Sequence, residues 1–301
     1  MCRLFGMISL EPVRVAPWLL DAEIPFVRQA NIDPAQLQAE GWGIAWYPPE
    51  GRLPRVRKGA EAVYRPAERE RFTEVASGLT CPLVIAHLRK ASNPMALPRE
   101  KLVAMENSQP FVSEGSVFAH NGWIALPRET QRRLGNRASL LRGVNDSEVF
   151  QQLFLTRLDR SEDPVRAYAD AMRDLHEVWE EEGRPGNGPH GGLNILLSRN
   201  SEELWAFCHY TGEHGSCLSG LPRPYYEMSY FALPGSVVVT SEPMDRHLEK
   251  WKPLRSAEYL RIRRSGGELE VFQAEIPGLP RFPALPKIAR PDETKVPLAA
   301  E

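Results

Sequence analysis

Cysteine is scarce in this 301-residue chain: Cys2, Cys81, Cys208 and Cys217 follow no regular spacing. That excludes the disulfide framework of a small secreted domain. Long hydrophobic runs are also missing. The apolar stretch near the start, Leu4 to Leu10, is broken by Ser9 and followed by Glu11 and Pro12. It is too short for a membrane span and lacks the charged start and small-residue cleavage site of a signal peptide. Neither sign of charge dominates, with 37 Lys+Arg against 39 Asp+Glu and a net charge of −2. A basic stripe for nucleic acid or an anionic membrane is therefore not expected. Neither a phosphate-cradling G-x-x-x-x-G-K-[ST] loop nor an H-E-x-x-H metal helix occurs. Together these absences predict a cytoplasmic protein with no nucleic-acid or membrane partner.

Two patterns that are present mislead. Gly186-Asn187-Gly188-Pro189-His190-Gly191 satisfies G-x-G-x-x-G. It follows a helical stretch and precedes a strand, the reverse of a dinucleotide site, and Pro189 removes one N–H donor. Cys208, His209, His214 and Cys217 offer thiolate and imidazole within ten residues. Their spacing fits no common zinc pattern, and strand neighbours such as Cys208 and His209 face opposite ways. No metal or other cofactor is expected.

At 42% hydrophobic and 25% charged, the chain is long enough to bury its own core. Strand signals come first (Cys2 to Leu10, Trp42 to Tyr47, Pro54 to Lys58, Pro82 to Leu88, Ser116 to His120). A broken helix is expected over Pro17 to Ala30, interrupted at Pro25, and a charged helix over Pro66 to Ser77. The longest helical signals are Asp146 to Leu158 and Pro164 to Glu182. A glycine-rich loop over Gly183 to Gly192 then leads to strands at Leu193 to Leu197, Leu204 to His209, Tyr230 to Leu233 and Val237 to Thr240. Tyr259 to Arg264 and Glu268 to Glu275 flank a Ser265-Gly266-Gly267 hairpin turn. After Glu275 periodicity stops and prolines recur, so one domain over residues 1–275 and a Pro-rich tail over 276–301 are expected.

Cys2 directly follows Met1. Removal of that methionine leaves a thiol and a free α-amine on one residue. The amine has a reference pKa of about 7.7–8.0, so part of it is neutral base near neutral pH. Nucleophile and base then need no separate histidine.

Met1-Cys2-Arg3-Leu4-Phe5-Gly6 at the start resembles the class II glutamine amidotransferases, the N-terminal-nucleophile glutaminases. So do His87-Leu88-Arg89-Lys90-Ala91-Ser92, His120-Asn121-Gly122 and Asn145-Asp146-Ser147-Glu148, in the family's order. Gly41-Trp42-Gly43 and Thr240-Ser241-Glu242-Pro243 look like segments of stand-alone members. The resemblance implies a four-layer αββα sandwich, an α+β fold of two facing, mostly antiparallel sheets between helices. Cys2 would be the nucleophile, at the end of a central strand.

The same resemblance implies roles for the other motifs. Arg89 would clamp the α-carboxylate of a small-molecule γ-glutamyl substrate with its planar fork. Asp146 would meet the α-ammonium, although an Asp before a helical run also reads as an N-cap. The Asn121 side chain and the Gly122 N–H would form an oxyanion hole, although Asn-Gly also reads as a hairpin turn. His120 is placed among the substrate-binding residues, in an orienting or packing capacity, and His87 is left to a buried hydrogen-bonded role.

One departure stands out. Where many relatives carry Asn-x-His-Pro, this chain has Asn107-Ser108-Gln109-Pro110. Three functional readings stay open: a self-sufficient amidohydrolase, a glutaminase subunit supplying ammonia to a separate synthetase, and a silent scaffold. Homo-oligomerisation is compatible with each.

Overall fold

The computed structural model describes residues 2–51, 53–211 and 215–279. Among the described residues thirteen strands run β1 (Arg3–Arg14), β2 (Trp42–Tyr47), β3 (Arg55–Gly59), β4 (Thr80–Leu88), β5 (Phe111–Ser113), β6 (Ser116–Ile124), β7 (His190–Asn200), β8 (Glu203–Cys208), β9 (Met228–Leu233), β10 (Ser236–Thr240), β11 (Lys252–Leu254), β12 (Glu258–Ser265) and β13 (Glu268–Glu275). The α-helices are α1 (Pro66–Gly78), the single turns α2 (Arg99–Leu102) and α3 (Pro127–Thr130), and the long pair α4 (Asp146–Ser161) and α5 (Pro164–Glu181). Two sheets result, in the orders β11-β9-β10-β1-β4-β2-β3 and β13-β12-β8-β7-β6-β5. Every strand pairing within them is antiparallel.

Three cores build four layers. Side chains alternate along a strand, so each sheet has two faces to bury. Leu4 and Ile8 of β1 and Leu83 and Ile85 of β4 meet Val117, Ala119, Leu196, Leu204 and Ala206 of the other sheet, forming the inter-sheet core. Phe5, Met7, Val84 and Ala86 face the opposite way and pack with Phe72 and Ala76 of α1. On the far side, Phe118, Ile195, Leu197 and Phe207 pack against Phe150 and Phe154 of α4 and Tyr168 and Met172 of α5. This is the αββα architecture, with β1 at the centre of its sheet.

Several elements differ in extent from their sequence signals. The first strand runs on to Arg14 because an irregularity between Ile8 and Val13 absorbs Glu11 and Pro12. The segment from Pro17 to Ala30 is two short helical turns, Pro17–Asp21 and Phe26–Ala30, separated by Pro25. The strand begun at Ser116 continues to Ile124, and the one expected at Leu193 starts at His190. Ile276 is buried and Leu279 packs beside the α4–α5 core, past the expected domain limit at residue 275. The rest of the Pro-rich tail, residues 280–301, lies outside the described residues.

Candidate active site

Strand register decides where the first motif sits. Arg3 of β1 pairs with Leu88 of β4, so Cys2 lies beside Arg89 where both strands end. The Cys2 Sγ is 3.3 Å from the Lys90 carbonyl oxygen and 3.4 Å from the Lys90 amide nitrogen. Cys2 is 5% exposed. Burial pushes its thiol pKa up, while the Lys90 N–H and the charges of Arg89 and Arg3 pull it down. A thiol so placed stays protonated until a base takes its proton.

Arg89 is buried, and Nη1 is committed to the protein: it donates to the carbonyls of Glu40 (2.9 Å) and Leu102 (2.8 Å). Those bonds fix the guanidinium plane and leave its other edge for a carboxylate. Burial lowers its pKa, and the charges of Cys2, Asp146 and Glu40 act in the opposite direction.

Asp146 opens α4 but does not cap it. The N-cap is Asn145, whose side chain accepts the Ser147 N–H at 2.9 Å. Asp146 is thereby free for another task. Its Oδ1 accepts from the Ser92 hydroxyl (2.7 Å) and its Oδ2 from the Ile124 N–H (3.1 Å). Burial holds the carboxyl above its ordinary value, against the lowering effect of those bonds and of Arg89.

Asn121 and Gly122 lie inside β6, not in a hairpin turn. The turn signature is overridden because Gly122 meets β7 too closely for any side chain: a Cβ there would stand 1.5 Å from the Gly192 carbonyl oxygen. A register shift follows between Gly122 and Ile124. Asn121 is fully buried, and neither its Nδ2 nor its Oδ1 has a hydrogen-bond partner. A buried amide left so carries a cost on the order of 1–3 kcal/mol, which packing alone does not explain.

His120 faces the helical layer. Its Nδ1 is 2.9 Å from the Ser147 hydroxyl, its Nε2 is 3.3 Å from the Gly192 carbonyl, and its ring lies against Phe150. Burial lowers its pKa to about 3. Both ring nitrogens are thus engaged by the protein, an arrangement that suits an orienting or packing side chain. His87 is buried with Nε2 3.2 Å from the His120 carbonyl, which makes that nitrogen the donor.

Gln109 reads the same main chain. Its carboxamide oxygen accepts the His120 N–H at 2.6 Å and its nitrogen donates to the His120 carbonyl at 3.2 Å. One planar amide thus mimics a strand partner. Gly43 permits the approach, since a Cβ there would lie 2.2 Å from the Gln109 carbonyl oxygen. Asn107 ties the neighbouring loops, donating to Lys101 and Leu102 carbonyls and accepting the Val144 N–H.

Sequence reading missed the rim. Glu40 accepts from the Ala91 N–H and from Arg99, and Lys90 Nζ reaches Gln36. No local pattern marks these residues, because their partners lie 51, 59 and 54 positions away. Of the Cys/His cluster, His214 lies outside the described residues. Among the described residues no three metal-binding side chains converge, and no helix is long and apolar enough to cross a membrane.

A family profile described as class II glutamine amidotransferases matches residues 1–228. Over 179 residues the chain is 25% identical to an amidophosphoribosyltransferase of Methanocaldococcus jannaschii, a match taking in 58% of this chain and 34% of that protein. The chain thus spans about a third of that relative's length. A glutamine aminotransferase class-II domain protein from Silicibacter pomeroyi has a similar structure, with a TM-score of 0.62 at 20% identity, covering 93% of this chain and 100% of that one. A glutamine phosphoribosylpyrophosphate amidotransferase from B. subtilis, solved with ADP and GMP, gives a TM-score of 0.55 at 18% identity, covering 91% of this chain and 49% of that one. Both share the fold of two facing antiparallel sheets between helices.

Proposed function

The chain belongs to the class II glutamine amidotransferases, and from that premise we propose that it cleaves the side-chain amide of glutamine, or of a γ-glutamyl amide or peptide, through a thioester on Cys2. The observation that carries this reading is the Asn121 carboxamide, fully buried without a partner beside a glycine that cannot be replaced. Pre-aimed amide donors of this kind suit an oxyanion that exists only during reaction.

The residues divide the work by charge. Arg89, fixed by two carbonyls, offers its remaining edge to the substrate α-carboxylate. Asp146, freed from capping, offers its carboxylate to the α-ammonium. Once Met1 is removed, the Cys2 amine takes the thiol proton and sulfur attacks the amide carbon. The oxyanion rests on Asn121 Nδ2 and the Gly122 N–H. As the C–N bond breaks, the leaving amine takes that proton from the Cys2 α-amine, and the α-amine, neutral again, deprotonates a water that hydrolyses the thioester to release glutamate. With Cys2 5% exposed, Arg89 and Asp146 each 2% and Asn121 0%, substrate access needs a local opening of the site.

A second reading, a subunit that passes ammonia to a separate synthetase, draws on the archaeal relative, which is an amidophosphoribosyltransferase. Glutamate release from glutamine and from γ-glutamyl dipeptides, assayed on protein whose mass shows Met1 removed, separates the two. Fast dipeptide turnover supports the hydrolase, and slow glutamine turnover that rises with a partner supports the subunit. Cys2→Ala should abolish release in either case while substrate still binds. Turnover retained by Cys2→Ala refutes the thioester.

A further inference from the structure

Behind the nucleophile lies a buried ion pair that the chemistry above does not use. Arg3 and Glu242 are both 0% exposed, with Nη1 2.8 Å from Oε1. The Arg3 Nε donates to the Cys2 carbonyl at 2.7 Å, and the guanidinium sits 4.4 Å from the centre of the Tyr225 ring. Both oxygens of Glu242 accept hydrogen bonds. Its Oε1 also takes the Leu218 N–H (2.7 Å) and its Oε2 the Ser219 N–H (3.0 Å). Three donors, from the strand that starts at Arg3 and from the loop before β9, thus converge on one carboxylate.

We propose that Glu242 is a positioning residue for the nucleophile, acting through Arg3 to fix the Cys2 carbonyl and through Leu218 and Ser219 to hold the loop that brings Tyr225 over Arg3. The inference rests on Cys2 being the nucleophile. A buried ion pair is a poor device for stability, since apolar side chains of similar volume serve as well or better. Here the pair is spent on the carbonyl of the residue that carries the sulfur. Arg3 alone can serve both partners, because its planar fork presents Nε to one and Nη1 to the other, which a lysine ammonium does not reproduce. Glutamine fails at position 242 for a similar reason. Whichever of its ends carries the NH2 group turns a donor towards another donor.

The test measures glutamine hydrolysis per reactive site, with sites titrated by a chloroketone analogue of glutamine that alkylates Cys2. Glu242→Gln should lower kcat per titrated site on the order of 10- to 100-fold, the effect of a small misplacement. KM should stay within about twofold, because Arg89 and Asp146 are untouched. Arg3→Lys should give the same split, and it carries the test if Glu242→Gln proves insoluble. The double variant should be no slower than the slower single variant, since both act through one network. A merely structural role predicts fewer titratable sites with unchanged kcat per site, and that result overturns the proposal, as do losses that multiply. A wild-type protein that neither hydrolyses glutamine nor is alkylated at Cys2 overturns the thioester reading and this inference with it. Normal wild-type turnover with unchanged variants overturns this inference alone.

Discussion

Replacing Asn121 with leucine separates catalysis from stability. In most buried positions, exchanging a carboxamide for an isopropyl group destabilises, because a partner elsewhere is left unpaired. Here neither amide atom has a partner, so no protein group is orphaned by the exchange. Leucine also relieves the native chain of a desolvated amide, a relief on the order of 1–3 kcal/mol before any packing strain. Overpacking beside Gly122 opposes this by roughly 1–3 kcal/mol. Unfolding stability should therefore stay within about 1–2 kcal/mol of wild type, read as a urea midpoint at constant m-value. Hydrolysis should behave differently. Loss of one oxyanion donor should cost about 10²–10³ in kcat, or roughly 2.7–4 kcal/mol of transition-state stabilisation, with KM little changed. A variant destabilised by well over 3 kcal/mol would show that the amide is structural. One that keeps kcat within about tenfold of wild type would falsify its oxyanion role.

Two pH effects follow from burial. Because burial raises the Asp146 pKa, its negative charge is lost at a higher pH than in an exposed aspartate. KM for glutamine should accordingly rise as pH falls towards the carboxylate range, and Asp146→Asn should show a high KM without that dependence. A wild-type KM that is flat on acidification counts against the ammonium contact. The second effect concerns stability. His120 and His209 are held at about 3, His190 at about 4, and His87 well below its ordinary 6.5, all by burial. Below pH 6.5 the unfolded chain binds protons that the native chain refuses, so stability is full above that value and falls on acidification. His120, His190 and His209 each contribute about 2 kcal/mol of loss between pH 7 and 5, about 6 kcal/mol together, and His87 acts in the same direction. That is comparable with the whole stability of a domain. Urea midpoints that agree at pH 7 and pH 5 refute neutral burial.

The motifs for the proposed nucleophile, the arginine and the helix-opening aspartate were legible in sequence because each is local: a cysteine at position 2, His-x-Arg closing an apolar run, Asn-Asp before a periodic helix. What stayed hidden was set by partners distant in sequence. Asn121-Gly122 has turn chemistry, and only the approach of Gly192 keeps it in a strand. Gly191 and Gly192 read as loop because glycine is a poor strand former, yet β7 includes both. A Cβ on them would meet the Trp123 and Tyr226 rings at 2.2 Å each. The cap and the site residue stand side by side at Asn145 and Asp146, and no local pattern says which is which. Glu242 lies 239 residues from Arg3, so nothing near either residue announces the pair.

The same distance in sequence explains how a strand of one sheet is tied to a strand of the other. Apolar packing between the sheets is not directional, and side chains can slide over one another by fractions of an ångström at little cost. Hydrogen bonds do not permit that freedom. From Cys2 the register passes through the Leu4–His87 pair of β1 and β4, then through His87 Nε2 to the His120 carbonyl, one residue before Asn121. Gln109 bonds that same carbonyl and the His120 N–H, so both main-chain groups of the residue before Asn121 are held. Histidine, which the family resemblance would place at position 109, lacks a planar amide's paired donor and acceptor in this spacing. The glutamine is therefore no defect in the site. It offers the β6 main chain the donor and acceptor of an added strand, and so fixes the backbone next to Asn121, as the proposed oxyanion role would need.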